Sequence, residues 1–289
     1  GNIPINIWNK LEKQLNIKFN NLSDTRNIIQ LIDKFSQDSW IGILINLIEN
    51  LERAFCLIIQ TETCCYLIKD KYSTRPLSIL NANNKIFISS ESVVYNDLLN
   101  NNNNKIDIGG GEIYMIDYDT MKINKIYDSW NINEKKCVFE YIYFLRDDSV
   151  IGDSKVKDFR NNLGNKLGEQ LKKNNSQLVE HLTNNIGDVL VCGVPSSGIN
   201  YGKSISNYFG FNYCQFLKKN SNYPWRTFIL ENNKKRLKAC EKKYIIDGYI
   251  KGKILIMLDD SIVRGNTIQY LIEFIRKQEP KEIHFLVGS

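Results

Sequence analysis

The spacing of hydrophobic residues differs between the two halves of the chain. In the second half, short runs that are apolar throughout alternate with stretches in which apolar residues recur at helical spacing. Strands that are apolar on both faces and are joined by helices indicate a parallel α/β sheet, in which ligands bind beyond the carboxyl ends of the strands. The predicted strands are residues 189–194, 254–258 and 283–287, and the predicted helices are 159–173, 201–209 and 267–277.

The first half is typical of an antiparallel sheet accompanied by helices. Its apolar or alternating runs are short and are separated by turn-forming Asn, Asp, Ser and Gly. The asparagine tract at 100–104 predicts a surface loop, because it cannot bury enough apolar area to fold. Strands are predicted at 54–59, 65–68, 85–89 and 112–117, and helical spacing occurs at 28–32 and 40–51.

The composition is that of a soluble globular protein. The chain has 289 residues, of which 43% are hydrophobic and 24% charged, enough for one large domain or two ordinary ones. No apolar run reaches the ~18 residues needed to cross a bilayer, and no secretory signal is visible at the N-terminus. Seven cysteines, an odd number, favour reduced thiols. We therefore expect a cytoplasmic protein with no membrane partner.

The charge distribution favours a small ligand. The formal net charge is a modest +6, and the basic residues between 218 and 253 are not interleaved with aromatic residues in a nucleic-acid-binding pattern. This cluster suits a small phosphorylated molecule and no nucleic acid, with a solvated basic loop as the alternative. With only two histidines and no C-x-x-C pair, a zinc site has little support.

The segment that follows the strand at 254–258 carries the strongest chemical signal. Two adjacent carboxylates, Asp259 and Asp260, come directly after the strand, and a turn containing Ser261 and Gly265 leads into a helix at Thr267. Backbone N–H groups at a helix N-terminus suit a phosphate, and the carboxylates can hold ribose hydroxyls or a Mg²⁺ ion that carries pyrophosphate. The pattern therefore predicts a cradle for a phosphate together with ribose hydroxyls or Mg²⁺–pyrophosphate. The alternative, an Asp-capped turn, would leave two carboxylates repelling each other.

A second loop follows the strand at 189–194. It reads Pro195-Ser196-Ser197-Gly198 and leads into the next predicted helix. Its hydroxyls and glycine can cradle pyrophosphate and offer a hard oxygen ligand to Mg²⁺. Alone the loop is a weak signal, because the same residues form common turns. Its position at the end of a second strand of the same sheet strengthens the prediction.

These segments resemble the glutamine phosphoribosylpyrophosphate amidotransferase family, the amidophosphoribosyltransferases. The segment KILIMLDDSIVRGNT at 253–267 resembles the phosphoribosyl pyrophosphate (PRPP) signature of type I phosphoribosyltransferases. FEYIYFLRDDS at 139–149 is similar to the family's FEYVYFARPDS segment between its domains. Further resemblances occur at the helix motif 160–168, the loop 219–229, and the segments 75–77, 89–92 and 111–113.

The resemblance implies a two-domain enzyme. Residues 1–136 would form a partial N-terminal-nucleophile glutaminase, an αββα sandwich without its first strands. Residues 137–289 would form a type I phosphoribosyltransferase domain, a parallel α/β sheet without its C-terminal part. The implied reaction belongs to de novo purine synthesis: ammonia released from glutamine displaces pyrophosphate from PRPP and gives 5-phosphoribosylamine. Purine nucleotide inhibitors and a homo-oligomer are implied as well.

The resemblance also implies a role for each matching residue. Asp259 and Asp260, with Ser197, would hold ribose and Mg²⁺–pyrophosphate. Lys219 and Arg226 would neutralise pyrophosphate when the loop that carries them closes and expels water. The 5′-phosphate loop would consist of Ser261, Val263, Arg264, Gly265, Asn266 and Thr267.

The largest departure from the family pattern is at the start of the chain. The family's glutaminase begins with a catalytic Cys whose α-amine is the base, whereas position 1 is Gly and the first cysteine is Cys56. Gly1 instead matches an internal segment whose Asn-Gly forms the oxyanion hole, and Asp24 matches the residue that binds the glutamine amine. We therefore expect a chain truncated at both ends that, as given, cannot hydrolyse glutamine.

Smaller departures leave other functions open. Asp147 stands where the family has Pro, and residues 221–225 differ from the family's flexible loop. Cys137 matches a position used for an iron–sulfur cluster in some members, but a buried free thiol is favoured. A PRPP-binding pseudoenzyme and an ammonia-only or salvage phosphoribosyltransferase are the alternatives. A salvage enzyme does not account for the matches at 75–77 and 89–92.

Overall fold

The chain folds into two compact units. The computed structural model describes residues 3–19, 23–96, 98, 104–130, 134–152, 154–222, 242–262 and 265–289. The first unit comprises Gly1–Glu140 and Ser149–Asp153, and the second comprises Tyr141–Asp148 and Ser154–Ser289. Within the described ranges, every helix is too short or too polar to span a membrane.

Helices and antiparallel strands make up the first unit. Its helices are α1 (Ile5–Leu15), α2 (Asp24–Lys34) and α3 (Trp40–Asn50), and a 3₁₀ turn covers Ser92–Tyr95. Its strands are β1 (Cys56–Gln60), β2 (Cys64–Lys69), β3 (Ser78–Ala82), β4 (Lys85–Ser89), β5 (Asn104–Asp107), β6 (Glu112–Asp117), β7 (Ile123–Asp128) and β8 (Val150–Ile151).

The strands of the first unit form two antiparallel sheets that share a core. One sheet has the order β1-β2-β6-β7 and the other the order β4-β3-β5. Apolar side chains of α1 to α3 pack on one face of the first sheet, and residues of β3 pack on its other face. Strand β2 is buried along its whole length because it contributes side chains to both cores. The observed layers are therefore helices, sheet and sheet.

The second unit alternates strands and helices. A π-helical turn covers Glu140–Phe144 at its start, and a 3₁₀ turn covers Ile186–Asp188. Its helices are α4 (Val156–Asn174), α5 (Ser176–Asn184), α6 (Ile199–Phe209) and α7 (Asn266–Arg276). Its strands are β9 (Ser154–Lys155), β10 (Val189–Gly193), β11 (Asn212–Tyr213), β12 (Leu217–Lys219), β13 (Tyr244–Ile246), β14 (Ile254–Asp259) and β15 (Glu282–Val287).

A parallel sheet of order β11-β10-β14-β15 is the centre of the second unit. Helices α4, α5 and α6 cover one face, and α7 with the antiparallel strands β12 and β13 covers the other. Strand β10 is buried throughout. Strand β14 is buried except for its last residue, Asp259, which is half-buried. The prediction of a parallel α/β sheet is confirmed, and both loops of chemical interest follow strands at its centre.

Candidate functional site

Two carboxylates lie where strand β14 ends. The backbone N–H of Asp260 donates to Oδ1 of Asp259 at 2.9 Å, and the Ser261 hydroxyl donates to Oδ2 of Asp260 at 2.8 Å. From the neighbouring loop, the Ser197 hydroxyl donates to Oδ1 of Asp259 at 2.9 Å. The structure therefore brings together four residues that the sequence predicted to share one site, from two loops that are 62 residues apart.

The electrostatics of this carboxylate pair favour a bound cation or proton. Asp260 is only 3% exposed. Burial, followed by the hydrogen bond and charge of Asp260, raises the pKa of Asp259 above its ordinary value. Two adjacent buried carboxylates can both be ionised only when positive charge or hydrogen-bond donors compensate them. The site is thus better suited to a cation-bearing ligand than to an empty turn.

The loop at 194–198 is fastened to the same strand end. The N–H of Val194 donates to the carbonyl of Leu258 at 2.7 Å, and the N–H of Gly198 donates to the carbonyl of Val194 at 2.9 Å. The Pro195–Ser196 peptide is cis. A Cβ added at Gly198 would lie 2.0 Å from the Leu258 carbonyl oxygen. Only glycine therefore allows this loop to approach β14 so closely.

Substituting Gly198 should test that close approach. We expect Gly198→Ala to lower the free energy of unfolding by about 2–4 kcal/mol, because the added methyl collides with a backbone atom that cannot move freely. The measurement is denaturant unfolding of Gly198→Ala and of the control variant Gly187→Ala. Gly187→Ala is the matched control, since nothing lies within 4 Å of its added Cβ. Equal stability of the two variants would contradict the close approach.

Lysine Lys219 extends from the end of β12 to this loop. Its Nζ donates to the Ser196 hydroxyl at 3.2 Å, and the side chain is otherwise exposed. Through this hydrogen bond, Lys219 places the positive charge of its ammonium group directly at a hydroxyl of the loop. Lys219 therefore contacts the 194–198 loop through Ser196. That it neutralises pyrophosphate stays a prediction.

The remaining residues predicted for the phosphate loop are described in part. Gly265 has a left-handed φ of 70°, which glycine adopts without strain, and it precedes α7. Asn266 and Thr267 form the first turn of that helix. Arg226, Val263, Arg264 and Gly1 lie outside the described residues.

Sequence reasoning missed three residues that contact or adjoin the site. The N–H of Gly288 donates to the carbonyl of Asp259, and the Ser289 hydroxyl donates to the carbonyl of Asp260, both at 2.9 Å. The hydroxyl of Tyr201 is fully buried and makes no hydrogen bond with the described residues. Gly288 and Ser289 reach the site because β15 pairs with β14, and Tyr201 lies in the first turn of α6, so no local pattern marks these residues.

In the first unit, Asp24 has partners within the chain. Its carboxylate accepts from the N–H of Ile3 at 2.8 Å and from Nε1 of Trp8 at 3.1 Å. Trp8 is 3% exposed, so its indole N–H requires a partner inside the protein. Asp24 therefore fastens the start of α1 to α2. That Asp24 binds a glutamine amine stays a prediction.

The donor set at the carboxylate pair fits magnesium. Mg²⁺ is usually held by one or two carboxylates together with substrate phosphates, rather than by a cage made entirely of protein ligands. Asp259, Asp260 and the Ser197 hydroxyl supply such hard oxygen atoms. In the described part of the chain, no group of three or more His, Cys, Asp or Glu residues is arranged to hold a metal ion. Cys137 is a half-buried free thiol.

Comparison with known proteins gives consistent matches. Residues 163–287 match the family described as phosphoribosyl transferase domain. The chain is 32% identical over 281 residues to the amidophosphoribosyltransferase of Bacillus subtilis, covering 97% of this chain and 55% of that protein. It is 29% identical over 300 residues to the one of Methanocaldococcus jannaschii, covering 96% and 60%. The mouse enzyme is 30% identical over 292 residues, covering 92% and 53%.

Solved structures agree with these sequence matches. The structure of glutamine PRPP amidotransferase from B. subtilis, complexed with ADP and GMP, matches with a TM-score of 0.76 and 30% identity, covering 99% of this chain and 59% of that one. A structure described as the allosteric regulatory enzyme of purine biosynthesis matches with a TM-score of 0.75 and 29% identity, covering 99% and 57%. The chain spans about half the length of the curated relatives it matches.

Proposed function

Since this chain is a homologue of the amidophosphoribosyltransferases over nearly its whole length, we propose that it carries the phosphoribosyl-transfer site of such an enzyme. In the proposed reaction, the nitrogen lone pair of ammonia forms a bond to the anomeric carbon of PRPP. The bond from that carbon to the pyrophosphate oxygen breaks, and pyrophosphate leaves with the electron pair. The products are 5-phosphoribosylamine, after loss of one proton to solvent, and pyrophosphate.

The observation that carries the proposal is the meeting of Asp259 and Ser197 at 2.9 Å. Asp259 ends β14, and Ser197 lies in the loop after the adjacent parallel strand β10, at the sheet edge where ligands of α/β sheets bind. In our assignment the carboxylates of Asp259 and Asp260 orient the ribose hydroxyls, and the 194–198 loop takes the pyrophosphate. Each of these carboxylates has more acceptor positions than its hydrogen bonds within the site use, so the remaining positions can accept hydrogen bonds from a ligand.

Magnesium would be held by Asp259, Asp260 and the Ser197 hydroxyl together with the substrate. When bound, the ion supplies positive charge that stabilises the departing pyrophosphate. The chain's own cations support the same step. Lys219, already in contact with Ser196, would donate to a pyrophosphate oxygen, and Arg226 would add a second positive charge. Stabilisation of a leaving group by preplaced charge is often the largest part of catalysis.

In the whole enzyme, the first unit would belong to the domain that supplies the ammonia. We infer that its helix, sheet and sheet layers belong to an αββα N-terminal-nucleophile glutaminase sandwich, and that Asp24 and Gly1 belong to the glutamine site of the whole enzyme. We assign residues 1–136 to this domain and 137–289 to the phosphoribosyltransferase domain.

Purine nucleotides are the proposed inhibitors, since the B. subtilis structure holds ADP and GMP. A homo-oligomer is the proposed assembly, which light scattering on the purified chain would test.

Pyrophosphate release tests the function directly. We expect this chain, given Mg²⁺ and PRPP, to release pyrophosphate only when an ammonium salt is added, at a rate that increases with pH as ammonia becomes deprotonated. Reactions with ammonium replaced by sodium, and with a purine or pyrimidine base replacing ammonium, are the controls.

Each other outcome favours a different function. Calorimetric binding of Mg²⁺–PRPP without ammonia-dependent release would favour a binding pseudoenzyme. Release that requires a nucleobase would favour a salvage phosphoribosyltransferase. Absence of both binding and release would contradict the proposal.

A further inference from the structure

The buried guanidinium of Arg160 binds the segment Tyr141–Asp148, which belongs to the second unit. Arg160 of α4 is 4% exposed. Its Nε donates to the carbonyl of Tyr141 and its Nη2 to the carbonyl of Leu145, both at 2.8 Å. Its Nη1 donates to Oδ1 of Asp147 at 2.6 Å. A single arginine side chain thus ties three residues of the segment to α4, and Asp147 supplies its counter-charge.

The same carboxylate oxygen has a second buried partner. Nδ2 of Asn200 donates to Oδ1 of Asp147 at 2.7 Å, and Asn200 is 3% exposed. Asn200 is the second residue of α6, which begins directly after the loop at 194–198. Asp147 therefore connects α4, through Arg160, to the first turn of α6. Because the Asn200 amide and the Arg160 guanidinium are both withdrawn from water, loss of Asp147 would leave two buried donors without this partner.

This connection has no counterpart in the sequence resemblance, which expects proline at position 147. Proline has no side-chain acceptor for Arg160 or Asn200. Helix α6 is otherwise positioned by close packing on α4, where a Cβ added at Gly164 would lie 2.6 Å from the side chain of Ser204. That packing fixes the distance between the helices. Asp147 acts nearer to the helix start, because its partner Asn200 is two residues beyond Gly198, where the loop ends.

We propose that Asp147 is a positioning residue for the pyrophosphate loop, acting through Asn200 and Arg160. By fixing the first turn of α6 it holds the loop hydroxyls and N–H groups, including that of Ser197, in the arrangement that takes pyrophosphate. This inference rests on the proposed function, because it assigns the 194–198 loop to pyrophosphate. It places no contact between Asp147 and the substrate. Its effect should therefore be confined to ligands that use this loop.

Two ligands separate the loops in one experiment. Mg²⁺–pyrophosphate uses the 194–198 loop together with the carboxylates at the end of β14, whereas ribose 5-phosphate uses the carboxylates and the loop after β14 but not the 194–198 loop. We expect Asp147→Ala to weaken Mg²⁺–pyrophosphate binding about tenfold and to leave ribose 5-phosphate binding within about twofold, as measured by calorimetry on the full chain. Asn200→Ala should give the same pattern, and the double variant should lose little more than either single one, since both remove one connection.

The controls keep a folding defect apart from a positioning defect. Asp148→Ala removes an adjacent, exposed carboxylate and should change neither affinity. Asp147→Asn retains an oxygen that can accept from Arg160 or Asn200, so it should fold and bind pyrophosphate more tightly than the alanine variant. The inference would be overturned if the Asn and Ala variants both bound the two ligands equally weakly. It would also be overturned if neither variant lost affinity for either ligand. If the unsubstituted chain binds neither ligand, the proposed function fails and this inference falls with it.

Discussion

Replacing Asp259 with asparagine should inactivate the protein and stabilise it at the same time. We expect kcat/KM for PRPP in the ammonia-dependent reaction to fall at least about a hundredfold, because the variant lacks the carboxylate that we propose orients ribose and holds Mg²⁺. The ligand-free protein should gain about 1–2 kcal/mol in its free energy of unfolding near pH 8. The gain arises because a buried carboxylate beside Asp260 is costly until a ligand compensates it.

The stability gain should depend on pH in a defined direction. The pKa of the Asp259 carboxyl is raised in the folded protein by burial and by Asp260. Below about pH 4 the carboxyl is protonated in both the folded and unfolded states and favours neither. As the pH rises, the unfolded chain loses this proton first, so the free energy of unfolding falls until the pH passes the folded pKa. Asparagine does not titrate, so its advantage over the wild type should increase with pH.

Urea unfolding between pH 4 and pH 9 measures this difference. Adding Mg²⁺ and PRPP should reverse it for the wild type, because the ligand binds the ionised folded state, and should have little effect on the variant. Asp158→Asn, which changes an exposed carboxylate in the first turn of α4, is the control. An Asp259→Asn variant that is less stable than the wild type at pH 8, or that retains activity, would contradict the role assigned to the pair.

Replacing Lys219 with alanine should mainly affect the chemical step. We expect kcat to fall about a hundredfold, because the ammonium group stabilises charge that develops on pyrophosphate as it leaves. The KM for PRPP should change less, because the charge on the leaving group is greatest in the transition state. The measurement is steady-state pyrophosphate release at saturating ammonium. Binding of ribose 5-phosphate should be unaffected, since that ligand has no pyrophosphate.

Lys218 is the matched control for Lys219. It is the preceding residue on β12, is also exposed, and pairs with Asp247 away from the loop hydroxyls. Lys218→Ala should therefore change kcat by less than about threefold, as is usual for an exposed ion pair. Similar losses in the two variants would show that overall positive charge, and not the contact of Lys219 with Ser196, supports the reaction.

The parallel sheet was predictable because its two central strands, β10 and β14, are buried on both faces. The predictions at 254–258 and 189–194 correspond to Ile254–Asp259 and Val189–Gly193, since only an uninterrupted apolar run can fill the centre of such a sheet. The helix at 267–277 likewise corresponds to Asn266–Arg276. In the first unit, 85–89 and 112–117 coincide with β4 and β6.

Elements with mixed patterns were not predicted. Strand β7 reads INKIYD, in which lysine and asparagine interrupt the apolar residues, and it forms through pairing with β6. Strand β5 begins at Asn104, at the end of the tract predicted to be a loop, and pairs with β3. Tertiary pairing outweighed local preference in both strands. The sequence therefore showed where apolar area must be buried, but not which polar segments would complete a sheet.

The candidate site was predictable in its groups but not in their connections. Asp259 and Ser197 could be paired from strand order alone, because both follow strands of one parallel sheet. The partners of Asp147 could not, since Arg160 and Asn200 reach it from two helices that are far apart in sequence. Such contacts depend on how helices cross over the sheet, which no periodicity records.

Strands β10 and β14 end side by side, with Gly193 opposite Leu258. Neighbouring strands lie about 4.8 Å apart, so backbone hydrogen bonds, and not side chains, set the spacing between the two loops. The two strand ends thus fix the distance between the groups of any molecule that touches both loops. Changes in loop sequence can alter which chemical groups are recognised, but not this distance. The topology of the sheet, rather than the loop sequences, therefore sets how far apart a ligand must place the groups that touch the two loops.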